Sequence, residues 1–141
     1  DRRGSRGRCR SRLRDDFPGG WQGDVRNAFT GAGLTGQEKE ALEYTKLILN
    51  WRKEKDVIHT GRLKHYIPSD GVYVYFRYND DESVMVVLNN NPEESRTVQG
   101  EKYAESLHGF TGGTDIISGR RIEDMGSFTI GPKTAMIIEL K

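Results

Sequence analysis

The sequence predicts a mainly β protein, an antiparallel β-sandwich preceded by one amphipathic α-helix. The helix is indicated by apolar residues that recur every three to four positions between residues 35 and 53. From residue 57 onward the apolar period changes to two, and short apolar segments recur about every ten residues with turn-forming residues between them. About seven or eight such strands without intervening helices are typical of a sandwich.

The helix has a recognisable start and one apolar face. Thr35 and Glu38 are spaced as a capping box, in which each side chain binds a backbone amide of the other residue. The pattern predicts a helix from about residue 37 to residue 53. Its apolar face consists of Ala41, Tyr44, Ile48 and Trp51.

The β region contains two segments of contrasting pattern. Residues 72–78 alternate between apolar and mixed side chains and predict a half-exposed strand, whereas residues 83–88 are apolar on both faces and predict a central strand. Polar residues at 79–82 and 89–94 predict turns. The full set of predicted strands is 62–67, 72–78, 83–88, 96–98, 103–107, 114–117, 126–130 and 134–140.

Charge is divided unevenly along the 141 residues. Residues 1–14 carry seven arginines and one acid, a net charge of +6, which leaves −5 for residues 15–141. Residues 1–13 are predicted to be a disordered basic arm because they have almost no apolar side chains to bury. The arm has three interpretations: a nucleic-acid-binding arm, a solvated leader, or coding sequence read out of frame and foreign to the fold. We favour the third, and the acidic body argues against a nucleic-acid partner.

Other features exclude whole classes of protein. No apolar run approaches a membrane span, and no signal peptide is expected, so a membrane partner is not predicted. The single Cys9 rules out an internal disulfide framework. His59, His65 and His108 stand apart from carboxylates, which predicts hydrogen-bonded residues at strand ends and no metal or cofactor.

Several motifs resemble the C-terminal end of the α-amylase family, glycoside hydrolase family 13, in particular its neopullulanase and cyclomaltodextrinase-like branch. The most specific is the loop RDDFPGGW at residues 14–21. The others are Asn27-Ala28-Phe29, the capping box, Asn50-Trp51-Arg52-Lys53, His59-Thr60-Gly61 and Lys64-His65-Tyr66-Ile67-Pro68. In that family the loop follows the eighth strand of a (β/α)8 barrel, the helix closes the barrel, and an all-β domain follows.

The resemblance implies a domain organisation and a division of labour. Residues 14–56 would be the remnant of a truncated barrel and residues 57–141 the C-terminal β-sandwich domain. The family's catalytic Asp, Glu and second Asp lie on earlier barrel strands, which this sequence does not match, so no catalytic residue is predicted here. The expected role is structural support of the barrel in a bacterial, periplasmic or secreted enzyme that hydrolyses α-glucosidic linkages of starch-like oligosaccharides.

Two residues of the loop are candidate substrate-binding residues of the full-length parent. Arg14 would bind sugar hydroxyls, but the family's acidic partner four residues earlier is replaced by Arg10, which favours a solvated arginine. Trp21 would stack on a sugar ring, or alternatively anchor the glycine-rich loop. We favour anchoring.

An alternative function is a carbohydrate-binding module that holds α-glucan by surface aromatic residues. Tyr73 and Tyr75 share a strand face with Arg77 and would stack on sugar rings, although cross-strand packing is the commoner role of such residues. The apolar face of the helix has no helical partner in the sequence. It is expected to be covered by the barrel in the parent, and here by self-association or by the aromatic residues of the DFPGGW loop.

Deleting residues 1–13 is expected to shift the melting temperature by no more than about one or two degrees, because surface segments without buried contacts contribute under about 0.5 kcal/mol. The measurement is thermal unfolding of the full chain and of the deletion variant. Any weak DNA binding should disappear with the arm. A large drop in melting temperature would show that the arm is docked.

Overall fold

The computed structural model describes residues 17–141, so the predictions for the basic arm, Cys9 and Arg14 lie outside the described residues. The chain divides into two compact units, one ending at Lys46 and the other beginning at Leu47. Helix α1 (Gly36–Lys53) begins in the first unit and ends in the second.

The first unit consists of an irregular loop and the start of α1, and it confirms the predicted capping box. The Glu38 amide donates to Thr35 Oγ1 at 3.3 Å, and the Thr35 amide donates to Glu38 Oε2 at 2.8 Å. Hydrogen bonds to Thr35 and an ion pair with Arg26 hold the pKa of Glu38 below its ordinary value. The capping box therefore starts the helix within one residue of the predicted position.

The apolar face of α1 is only partly covered. No residue of α1 is buried, and Tyr44, Leu47 and Leu49 are 43%, 41% and 51% exposed. The alternative that loop aromatics cover this face is wrong, because Trp21 and Phe29 are themselves 71% and 76% exposed.

The second unit is an antiparallel β-sandwich, which confirms the predicted fold class. Six strands form one sheet in the order β1-β2-β3-β8-β5-β6, and β4 and β7 form a second, two-stranded sheet. Every strand pair is antiparallel. The strands are β1 (Arg62–His65), β2 (Val72–Tyr78), β3 (Ser83–Asn89), β4 (Arg96–Gln99), β5 (Gly113–Asp115), β6 (Arg121–Ile122), β7 (Ser127–Ile130) and β8 (Ala135–Leu140).

Short helical elements connect the strands. Helix α2 (Asp56–His59) precedes β1, and a 3-10 turn (Gly100–Tyr103) leads into helix α3 (Ala104–Leu107). The predicted strand at 103–107 is therefore wrong. Tyr103 and Leu107 are both buried and lie four residues apart, whereas a strand would have placed the exposed Glu105 on the same face as these two.

Strand β3 is the central strand, as predicted, and is buried on both faces. Met85 and Val87 contact the larger core, which includes Phe76 of β2, Phe128 of β7 and Ile138 of β8. Alternation directs the intervening Val84 and Val86 to the opposite face, where they form a smaller cluster with Val57 of α2. We call these the first and second faces of the six-stranded sheet.

Asparagine side chains fix the two predicted turns. Asn79 Oδ1 accepts hydrogen bonds from the amides of Asp81 and Glu82, which closes the β2–β3 hairpin. Asn89 is only 3% exposed, and its amide group donates to the carbonyl oxygens of Glu94 and Gly131 at 2.9 and 2.8 Å. These bonds satisfy a polar group that would otherwise be costly to bury.

The domain boundary near residue 56 is tested by truncation. We expect a chain starting at Val57 to fold cooperatively, but with a lower melting temperature than one starting at Leu47, because only the longer chain retains Trp51 on the second face. Thermal unfolding of both chains makes the comparison. An unfolded shorter chain would move the boundary into α1, and equal melting temperatures would show that Trp51 contributes nothing.

Candidate functional site

The DFPGGW loop is held by polar side chains rather than by its tryptophan. The Asp24 carboxylate accepts hydrogen bonds from the amides of Gly19 and Trp21 at 2.9 and 3.1 Å. Asn27 Oδ1 accepts from the amides of Phe29 and Thr30. The expectation that the Trp21 ring anchors the loop is wrong, because the ring is 71% exposed. The loop backbone is held instead by the hydrogen bonds of Asp24 and Asn27.

Asp24 and Asn27 shape this loop, although neither was predicted to do so from the sequence. The signal was present, because Asp and Asn in glycine-rich segments commonly accept hydrogen bonds from nearby amides. Their effect is to present the indole of Trp21 to solvent on an ordered backbone. An exposed aromatic ring held in this way is suited to stacking on a sugar ring, which stays a prediction for Trp21.

A network of hydrogen bonds and ion pairs around Glu139 fixes the end of α1 to the second face of the sheet. Trp51 Nε1 donates to Glu139 Oε1 at 2.6 Å, and Lys55 Nζ lies 3.0 Å from the same oxygen. Lys55 also contacts Glu82 at 3.2 Å. This network connects the helix end, the β2–β3 hairpin and strand β8 within the second unit.

Charge in the network is stabilised by its hydrogen bonds. Burial alone would raise the pKa of Glu139, but hydrogen bonds from Trp51 and Lys55 outweigh burial and hold that pKa below its ordinary value. The hydrogen bond to Glu139 raises the pKa of Lys55 against the opposing effect of burial. Both side chains therefore stay ionised at neutral pH, and the network contributes stability there.

The row of Tyr73, Tyr75 and Arg77 lies on the second face, as the strand pattern predicted. Two of its members are used in packing: Tyr75 contacts the second-face cluster, and Arg77 Nη2 donates to the carbonyl of Ile58 in α2 at 2.8 Å. Burial, and secondarily Tyr73, raises the pKa of Tyr75. Tyr73 stands at the open end of the row, with its ring centroid 5.6 Å from that of Tyr75 and 6.4 Å from that of His65.

The motifs after α1 have structural roles. Gly61 is required because a Cβ there would lie 2.2 Å from the carbonyl oxygen of Val57. Tyr66 packs edge-on against Tyr103 with ring centroids 4.8 Å apart, and its hydroxyl lies 2.8 Å from Ser106 Oγ. Lys64 forms an ion pair with Glu105. The motif Lys64-His65-Tyr66-Ile67-Pro68 thus attaches α3 to the edge of the sheet.

The three histidines have separate environments. His59 ends α2 and its Nε2 hydrogen-bonds the carbonyl of Arg52 at 2.9 Å, while His108 follows α3. Only His65 lies at the end of a strand, so the prediction of strand ends is wrong for the other two. Among residues 17–141, no cluster of three or more His, Cys, Asp or Glu side chains is arranged to hold a metal ion.

One buried carboxylate was also overlooked. Asp115 is 2% exposed and accepts hydrogen bonds from the amides of Ile117, Ser118 and Ile137. It ties β5 to β8, and backbone amides donate to both of its oxygens. None of the helices in the described part of the chain has the length and apolar character needed to cross a bilayer.

Comparisons with known proteins agree with this architecture. A family model described as the cyclo-malto-dextrinase C-terminal domain matches residues 63–139, more than half of the chain. Solved structures of similar fold include AmyP in complex with maltotriose (TM-score 0.64, 12% identity), an Anoxybacillus α-amylase (0.59, 18%) and the Geobacillus thermoleovorans α-amylase with acarbose (0.60, 21%). These alignments cover 77–79% of this chain and 22–25% of the other chains.

The fold is therefore that of an all-β domain that is also present in α-amylases of known structure. More specifically, the chain belongs to the cyclo-malto-dextrinase C-terminal domain family. In the α-amylase family this domain packs against the catalytic barrel. The chain spans about a quarter or less of the length of the solved structures it matches.

The Glu139 network makes stability depend on pH in a defined direction. We expect Glu139→Gln to lower the free energy of unfolding by about 1–2 kcal/mol at neutral pH, because a charged hydrogen-bond acceptor is lost. Since the folded pKa is lowered, this advantage of the wild type should diminish as the pH falls below the ordinary carboxyl value of 4.5. Urea denaturation at about pH 7 and about pH 3 measures both effects.

Glu123→Gln is the matched control. Glu123 pairs with Arg121 on the surface, and both side chains are more than three-quarters exposed, so its loss should cost under about 0.5 kcal/mol. A Glu139 variant as stable as the wild type at neutral pH, or a difference that grows on acidification, would contradict the assignment.

Proposed function

We propose that this chain is a non-catalytic domain whose role is to support the (β/α)8 barrel of a hydrolase acting on α-glucosidic linkages of starch-like oligosaccharides. The observation that carries the proposal is the fixed end of α1. Trp51 and Lys55 bind Glu139 on the second face, whereas Leu47 and Leu49, a short distance earlier on the same helix, remain 41% and 51% exposed. One helix thus combines an attached end with exposed apolar side chains just before that end.

This combination suits a helix shared between two domains. Apolar side chains at the middle of α1 gain stability only when another surface covers them. Attachment at the Trp51 end would fix the position of the β domain relative to the surface that covers the middle of α1. In the α-amylase family the neighbour of this domain is the barrel, and the proposal assigns the exposed face of α1 to it.

The absence of catalysis follows from the chemistry that the family's reaction needs. Retaining glycosidases hold two carboxylates about 5 to 5.5 Å apart on either side of the scissile bond. Three of the described acidic side chains are engaged in hydrogen bonds within the fold. Asp24 accepts from loop amides, Glu139 accepts from Trp51 and Lys55, and Asp115 accepts from strand amides. The proposal therefore leaves the catalytic carboxylates to the parent enzyme's barrel.

The carbohydrate-binding module remains the second candidate, and the exposed indole of Trp21 is the observation in its favour. Sugar binding by the row of Tyr73, Tyr75 and Arg77 on the second face is less well supported, because Tyr75 and Arg77 are both engaged in packing contacts. Substrate binding by Arg14 and Trp21 in the full-length parent stays part of this proposal.

The purified chain is expected to release no reducing sugar from starch, pullulan or cyclodextrins, because the carboxylate pair that must flank the bond is supplied elsewhere. A reducing-sugar assay of the wild type and of Asp16→Asn makes the test. Turnover that survives exhaustive purification and disappears in the Asp16 variant would overturn the proposal.

The supporting role has a separate test with a thermodynamic readout. The chain is added to the barrel portion of a neopullulanase-like enzyme that lacks its own C-terminal domain, and the melting temperature of the barrel is followed. We expect a rise that increases with concentration, because anything that binds only the folded barrel stabilises it. The variant Leu47→Lys should reduce the rise, while Lys39→Ala, a charged position on the same helix, should not. No rise with the wild-type chain would contradict the role.

A further inference from the structure

A pocket of about 260 Å³ lies at one end of the first face of the six-stranded sheet. Phe76 is among its lining residues, and the β2–β3 turn borders it at Asn79. The segment after α3 closes the other side with His108 and Phe110. All of these residues belong to the second unit.

The strand register brings two hydroxyl groups to this pocket. Tyr78 and Ser83 are paired residues at the ends of β2 and β3, and alternation places both on the first face with Phe76 and Met85. Ser83 is only 7% exposed. Buried hydroxyls normally have a hydrogen-bond partner.

Several polar groups of the pocket lack such partners. Neighbouring groups are engaged: Tyr66 bonds Ser106, and Asn79 Oδ1 accepts two turn amides. By contrast, the hydroxyls of Ser83 and Tyr78 and the ring of His108 line the pocket without a hydrogen-bond partner among residues 17–141, and neither hydroxyl is a fully buried atom. The pocket therefore offers hydrogen-bond donors and acceptors to a ligand.

The electrostatics of the pocket disfavour an anionic ligand. The charged residues that line it, Lys64 and Glu105, neutralise each other in an ion pair that raises the pKa of the lysine and lowers that of the glutamate. The adjacent turn carries Asp80, Asp81 and Glu82, which would repel an anion. Aromatic walls with a few neutral polar groups are characteristic of sites for uncharged polar ligands.

We propose that this pocket is an accessory carbohydrate site that binds one neutral sugar ring, with Ser83, Tyr78 and His108 hydrogen-bonding its hydroxyls beside Phe76 and Phe110. The volume lies just below the roughly 300–1,000 Å³ of sites for larger ligands, which fits a single ring. The choice of an α-glucan ring rests on the substrate class proposed above. The site is separate from Tyr73, Tyr75 and Trp21.

The experiment is a titration of the full chain with maltotriose, followed by amide shifts in two-dimensional NMR spectra. We expect the shifts to cluster at Asn79, Ser83, His108 and Phe110. The variants His108→Ala and Tyr78→Phe should each weaken the affinity roughly three- to tenfold, the effect of one lost neutral hydrogen bond. His108 is exposed, so its replacement should leave the spectrum of the folded protein intact.

Tyr73→Phe, on the opposite face, is the matched control and should leave the affinity unchanged. Shifts confined to Trp21 or Tyr73 would overturn this site and favour the alternative carbohydrate surface. An absence of shifts would overturn it while leaving the barrel-stabilisation test unaffected. Equal shifts with inorganic phosphate would overturn the assignment to a neutral sugar.

Discussion

The structure depends on the burial of strand β3 on both faces. Val84 and Val86 face one way, Met85 and Val87 the other, and each of the four is at most 6% exposed. A strand of this kind needs an apolar layer above and below it. The two-stranded sheet of β4 and β7, with Phe128 and Ile130, lies in the core on the first face.

The second face is covered by helical segments instead of a sheet. Trp51 from the end of α1, and Val57 and Ile58 from α2, pack on Val84 and Val86. Apolar contact alone is non-directional, so the polar bonds at the edge of the cluster define how these segments sit. Trp51 to Glu139, and Arg77 to the Ile58 carbonyl, are those bonds. They explain why the row of Tyr73, Tyr75 and Arg77 serves mainly in packing, although its sequence pattern also suits stacking on sugar rings.

The two faces consequently have different uses. The second face is occupied by the connection to α1, whose middle carries the exposed apolar side chains on which the proposed supporting role rests. The end of the first face is left incompletely filled, because β4 and β7 are only four residues long and leave the region of Tyr78 and Ser83 to the segment after α3. A support function and an accessory ligand site can thus coexist on one small domain without sharing residues.

The sequence by itself determined the features that depend on neighbours in the chain. The start of α1 follows from Thr35 and Glu38, the β2–β3 hairpin from Asn79 and the residues after it, and the central position of β3 from its uninterrupted apolar run. The motifs that resemble the α-amylase family are local strings of the same kind. Each is encoded within a few residues, where periodicity and short-range hydrogen bonds are visible in the sequence.

Only the tertiary structure decided which elements cover which face. Trp51 and Glu139 are 88 residues apart in sequence, and nothing local in either segment indicates the other. The helical segment at 103–107 likewise depends on Tyr103 meeting Tyr66 from the edge of the sheet, a contact that overrides a short and ambiguous pattern. The pocket beside Ser83 is assembled from β1, β2, β3, helix α3 and the segment after it. Such features depend on groups that are brought together by the fold, and a period of two or 3.6 carries no information about them.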